Sequence, residues 1–207
     1  MSSYTIPSVI EQTRHGERAV DIYSRLLSDR IVYIGTPIDA GVANVVIAQL
    51  LHLESDRPES DINLYLNSPG GDPSAMLGIY DAMQFIKAPV STTGVGQVAG
   101  SAAILLAAGA PGRRIVLPHA RVVLQQPSQD GTRGDLPDLL VAAKEIARLR
   151  AELNEILAFH SGRTPDQVQA ETDRDLVLGA TQAVDYGVAD AVVESRKTPG
   201  AAWKAAV

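Results

Sequence analysis

The chain has 207 residues, enough for one domain with an appendage and a substantial core. A formal charge of −6 argues against a nucleic-acid binder, which needs a clustered basic face, and the absence of cysteine excludes disulfides and thiolate metal sites. The N-terminus lacks the apolar run of a signal peptide and no stretch reaches the ~18 apolar residues of a membrane span, so a cytoplasmic protein is expected, with neither nucleic acid nor membrane as partner.

Residues 1–16 are polar, with Pro7, His15 and Gly16, and read as an arm or loop. From Glu17 to Leu27 the apolar positions Ala19, Ile22, Leu26 and Leu27 have helical spacing. Ile31-Val32-Tyr33-Ile34 is a short strand-like run, and Asp39 caps a predicted helix through Val45, Ile47, Leu50 and Leu51. Ile62 to Leu66 reads as a strand, Asn67-Ser68-Pro69-Gly70-Gly71 as a turn, and Met76, Leu77, Tyr80, Met83 and Ile86 share a helix face. Val90 to Thr93 reads as a strand. It runs into the small-residue stretch Gly96-Gln97-Val98-Ala99-Gly100-Ser101 and then an apolar helix-like run. Two short strands follow, Arg114 to Leu117 and Arg121 to Leu124. Alternation of strand and helix up to Leu124 predicts an α/β fold with parallel strands and helical crossovers.

The pattern then changes. After a polar segment, Ser128 to Gly134, a helix is predicted from about Leu136 to His160, roughly 35 Å long at ~1.5 Å per residue. Leu139, Ala143, Ile146, Leu149, Leu153, Ile156 and Leu157 form its apolar stripe. Two readings stay open: it folds back on the core, or it projects toward a second copy. Residues 166–185 read as helical, Ala189 to Val193 as a strand, and the end of the chain as a loose tail.

A strand–turn–helix elbow lifts one residue above a sheet and aims backbone N–H groups at a developing oxyanion, which makes Ser101 a candidate nucleophile. Such a serine needs a base within hydrogen-bond reach, held by a third group. None of the four histidines, His15, His52, His119 and His160, is placed beside it by sequence. There is neither a His-x-x-x-His metal spacing nor a glycine-rich run ending in Gly-Lys-Ser/Thr, and no cofactor or metal is expected.

Larger motifs carry a resemblance. Gly16-Glu17-Arg18-Ala19, Asp21-Ile22-Tyr23-Ser24-Arg25-Leu26-Leu27, Gly35-Thr36-Pro37-Ile38, Asn67-Ser68-Pro69-Gly70-Gly71 and Met83-Gln84-Phe85-Ile86-Lys87 closely resemble the proteolytic subunit of the ATP-dependent Clp protease, ClpP. The likeness implies a crotonase-like α/β fold with a protruding handle helix. It also implies two stacked seven-membered rings enclosing a chamber, and an ATP-driven unfoldase that feeds it. On that likeness, residues 1–16 are an N-terminal arm, 17–195 the ClpP-like domain with its handle at about 126–160, and 196–207 a flexible tail.

Carried over residue by residue, the resemblance departs at the triad. The family's elbow is similar to Gly-Gln-Ala-Ala-Ser-Met-Gly-Ala; with Gly96, Gln97, Ala99 and Ala103 in register, Gly100 takes the nucleophile's place and Ser101 the methionine's. Gln125 takes the place of the family's histidine base. Asp175, in Thr172-Asp173-Arg174-Asp175, matches the orienting acid. Gly71 and the Ser101 N–H match the oxyanion-hole donors. Asp173 and Arg174 match a pair at the ring-to-ring contact. Tyr65 matches a tyrosine of the unfoldase-docking pocket, where Asn63 replaces a common aromatic. Glycine has no attacking atom, and glutamine takes up no proton near neutral pH. The expectation is therefore an inactive, ClpR-like subunit that assembles with itself and an active paralogue and meets the unfoldase directly or through that paralogue. Rival readings are an active peptidase using Ser101, a self-assembled scaffold, and a crotonase-type acyl-CoA enzyme, which the ring-forming motifs disfavour.

Overall fold

The computed structural model describes residues 6–13, 16–127 and 135–194. Its elements are β1 (Ser8–Thr13), β2 (Gly16–Asp21), α1 (Ile22–Ser28), β3 (Ile31–Ile34), α2 (Ala40–Asp56), β4 (Ile62–Ser68), α3 (Pro73–Phe85), β5 (Val90–Ala99), α4 (Ser101–Ala107), β6 (Arg114–Val116), β7 (Arg121–Leu124), α5 (Leu136–Ser161), α6 (Pro165–Glu171), β8 (Leu176–Leu178), α7 (Ala180–Tyr186) and β9 (Ala191–Val192). The α/β expectation holds: β3, β4, β5, β6 and β9 run parallel in that order.

Strand β5 does the most to shape the molecule. Its first half, Thr92–Gly94, pairs with β6, whereas Gln97, Val98 and Ala99 pair with β7. The change of partner coincides with a register shift on β4 between Leu66 and Ser68. The sheet turns a corner there, which carries the end of β5 up to the start of α4. Every residue of α4 is buried, so the elbow rests on the centre of the core. Ile62, Leu64, Leu66 and Val98 are wholly enclosed beneath it. Asp39 caps α2 as predicted, accepting from the Val42 N–H at 2.8 Å.

Three elements differ from the sequence-based expectation. The predicted helix from Glu17 begins only at Ile22, because Gly16–Asp21 pairs antiparallel with Ser8–Thr13 as a hairpin. The Asp21 side chain, accepting from the Tyr23 and Ser24 N–H groups, fixes the helix start. Residues 166–185 are not one helix: β8 interrupts them and pairs antiparallel with β7, since Leu178 is buried there while Val177 faces outward. Strand β5 runs on through Gly96 to Ala99, so the predicted tight turn shrinks to Gly100 alone. Helix α5 matches its expected span. Its C-terminal half packs Leu153, Leu157 and Ala158 into the core, while Leu136, Leu139, Leu140 and Val141 stay exposed. The 128–134 segment and the 196–207 tail lie outside the described residues.

Candidate functional site

The elbow forms because Gly100 takes φ +51° and ψ −119°, a left-handed conformation that a Cβ would strain. Its N–H donates to the Val123 carbonyl of β7 at 2.9 Å, and its carbonyl accepts from the Ala103 N–H of α4 at 3.0 Å. The turn is thus tied to the strand behind it and the helix ahead of it.

Two segments face this corner. One is the glycine turn after β4. Gly71 sits at φ +148°, where a Cβ would overlap the Ile38 backbone. Ile38 holds the turn by donating to the Gly70 carbonyl and accepting from the Asp72 N–H, both at 2.8 Å. The other is the exit of β7, Gln125-Gln126-Pro127. Between them lies a cavity of about 250 Å³, whose walls include Gly71, Gly100, Ser101, Gln125, Gln126 and Leu153. Among the described residues, none of its walls carries an acid, a lysine, an arginine or a histidine.

The structure brings Gly100, Gln125 and Asp175 into one line. Gln125 Nε2 donates to Asp175 Oδ2 at 2.9 Å. A Cβ built on Gly100 would stand 3.3 Å from Gln125 Oε1. Ser101 points elsewhere. It is 7% exposed, and its hydroxyl donates to the Gly71 carbonyl at 2.9 Å. Neither the Gly71 nor the Ser101 backbone N–H has a protein acceptor among the described residues.

A network that sequence reasoning missed supports this line from behind. Gln126 Nε2 donates to Asn154 Oδ1 at 3.3 Å and to the Thr172 hydroxyl, which in turn donates to the Val168 carbonyl at 2.7 Å. Asn154 and Thr172 are buried, so their polar atoms must find partners inside the protein. The signal available was two polar residues at helix-facing positions, and it names no partner. Asp173, three residues before β8, pairs with Arg150 of α5 at 3.2 Å on an exposed surface; Arg174 is exposed beside it.

The remaining candidates lie apart from the cavity. Asn63 and Tyr65 share the outer face of β4, with Tyr65 in register with Tyr33 and Thr93. His52 is exposed on α2 and His119 exposed between β6 and β7; His15 lies outside the described residues. His160 Nε2 meets the Tyr80 hydroxyl at 3.1 Å. Burial and the nearby Arg114 charge lower the His160 pKa. Among the described residues no group of His, Asp and Glu could hold a metal, and no helix is long and apolar enough to cross a membrane.

The comparisons with known proteins decide the family. The model for Clp protease matches residues 14–196. The chain belongs to the Clp protease family. It is 57% identical over 197 residues to the "ATP-dependent Clp protease proteolytic subunit 1" of Nocardia farcinica, covering 95% of this chain and 100% of the relative. It is 54% identical to the corresponding "subunit 2" of Streptomyces avermitilis, covering 95% and 98% of the two chains. The "subunit 4" of Rhodococcus jostii is 53% identical, over 93% of this chain and 99% of the relative. The α/β architecture described above is therefore a Clp-protease fold.

Proposed function

We propose that this Clp family member is a proteolytically silent subunit, similar to ClpR-type subunits, that builds heptameric rings and a tetradecameric double ring together with an active paralogue. The observation that carries this reading is the line Gly100–Gln125–Asp175. It preserves the layout of a nucleophile, a base and an orienting acid, yet the first has no side chain and the second takes up no proton near neutral pH. Loss of triad members costs on the order of 10⁴–10⁶ in kcat. Asp175 is then a retained acid with nothing to orient but an amide. The Gly71 and Ser101 N–H groups are retained oxyanion donors.

Ser101 does not fill the gap. Its hydroxyl is committed to the Gly71 carbonyl, and no described histidine borders the cavity. In this reading α5 is the handle, with its exposed apolar end as a contact between copies. Asp173 and Arg174 belong to that contact, and Asn63 and Tyr65 to the face that meets an ATP-driven unfoldase. The numbered subunit names of the relatives support the existence of paralogous partners.

The test begins with the purified protein and a fluorogenic peptide, beside a fluorophosphonate probe. No turnover and no labelling are expected. Hydrolysis that disappears in Ser101→Ala overturns the reading. Purification from the native cell, with intact-mass measurement, is then expected to recover a second Clp subunit with an intact triad. Recovery of a ring made of this chain alone would favour a scaffold instead.

A further inference from the structure

We infer that Arg150 holds Asp173 in a contact within the chain that must open before Asp173 can pair with Arg174 of a second copy. The inference rests on the proposal that Asp173 and Arg174 belong to the contact between copies, and it concerns how that contact is held in check.

Arg150 lies on α5, just ahead of the stretch whose Leu153, Asn154, Leu157 and Ala158 are buried. Its guanidinium reaches the segment between α6 and β8, where Nη2 donates to Asp173 Oδ1 at 3.2 Å. That is a single bond, long for a charged pair. A guanidinium carries five donors in a fixed fork, and its strong contacts to carboxylates are two parallel bonds. Here one prong is used, while the Arg150 Nε is enclosed and has no acceptor among the described residues. The pair therefore lacks the geometry that would make it strong.

Asp173 stays 71% exposed at its side chain despite the contact. Arg174 is exposed and has no ion partner among the described residues. One acid thus has two cations of the same kind to choose from: Arg150 in its own chain and Arg174 of a copy. Detaching a carboxylate from one exposed, single bond costs little. In the exchange the bond within the chain breaks, a bond between chains forms, and Arg150 is released.

The sign of the effect separates competition from charge alone. Removing a cation makes a chain of formal charge −6 more acidic, and repulsion between copies grows. Removing a competitor makes association tighter. The test is sedimentation velocity over a concentration series of the whole protein, reading the association constant between copies. Arg150→Gln is expected to associate about two- to fivefold more tightly than the unchanged chain, the scale of an exposed ion pair. Arg150→Lys keeps the charge without the fork and should move the same way by less. Lys144→Gln makes the same charge change elsewhere on α5 and should give no gain. In an Arg174→Gln chain, Arg150→Gln should add nothing, because Asp173 then has no second cation to reach. Unchanged or weaker association of Arg150→Gln, an equal gain in Lys144→Gln, or a gain that persists beside Arg174→Gln overturns the inference. If Arg150→Gln folds poorly, Arg150→Lys decides in the same way. No association in any chain, or association that Arg174→Gln leaves untouched, removes the contact assigned to Asp173 and Arg174 and the inference with it. Peptide turnover is read separately, so the proposed silence stands or falls on its own.

Discussion

Two polar regions of this molecule differ in kind. Around Gly100 the polar groups are amides and backbone N–H donors, with Asp175 standing behind Gln125. Around Arg114 they are charged and closely paired. Arg114 meets Asp190 at 2.6 Å and donates to the carbonyls of Ala107, His160 and Gly187. Burial pushes the Asp190 carboxyl up, but the hydrogen bonds and charge of Arg114 outweigh it and hold the pKa below its ordinary value. Shifted ionisable groups often mark chemistry. Here the cluster of Tyr80, His160 and Asp190 sits among α3, the end of α5 and β6, where it fastens elements together. The Gly100–Gln125–Asp175 line and the Arg114 cluster lie in different parts of the fold, and each can be probed without the other.

The largest effect is expected from giving the first region a side chain that can attack and one that can take up a proton. Gly100→Ser combined with Gln125→His should raise peptide hydrolysis at least ~10³-fold over either single change, because nucleophile and base act as a unit. Fluorogenic-peptide turnover and active-site labelling measure it. Gly100→Ser alone should stay silent and lose about 1–3 kcal/mol of stability from its left-handed φ. A single variant as active as the double one would show that the region still holds a working base.

Breaking the second region should cost stability instead. Arg114→Met leaves Asp190 and three carbonyls without their partner, and a loss on the order of 3 kcal/mol is expected by chemical denaturation.

The smallest effect is a pH dependence. His160 has a folded pKa below its unfolded value, with burial the first cause and Arg114 the second. Its contribution is therefore fully present above the unfolded pKa of about 6.5 and is lost as pH falls toward the folded one. A modest fall in melting temperature between about pH 7 and pH 5 is expected, and His160→Gln should flatten that portion of the curve.

Much of the fold was legible from residue order. Alternating strands and helices announced a parallel sheet, Asp39 announced the start of α2, and the 136–160 stripe announced the span of α5. Strand β8 was hidden because Leu176-Val177-Leu178 is too short for its period to stand out between helices. The hairpin was hidden because Ala19 lies on the helical period of α1, although its partner is Ile10 across the turn. At the site, register placed Gly100, Gln125 and Asp175, and the structure brings all three together. What register did not contain was contact between distant segments. Nothing in the sequence aims the Ser101 hydroxyl at Gly71, or joins Gln126 to Thr172 and Asn154.

The left-handed elbow at Gly100 also constrains what a single mutation can do. A codon change that put serine there would bring backbone strain and a Cβ 3.3 Å from the Gln125 oxygen, and on the reading proposed above would add no activity until a second codon changed as well. Selection acting one mutation at a time meets a valley there. If the proposed silence holds, the shape of the main chain at this turn works against a return of catalysis by one substitution.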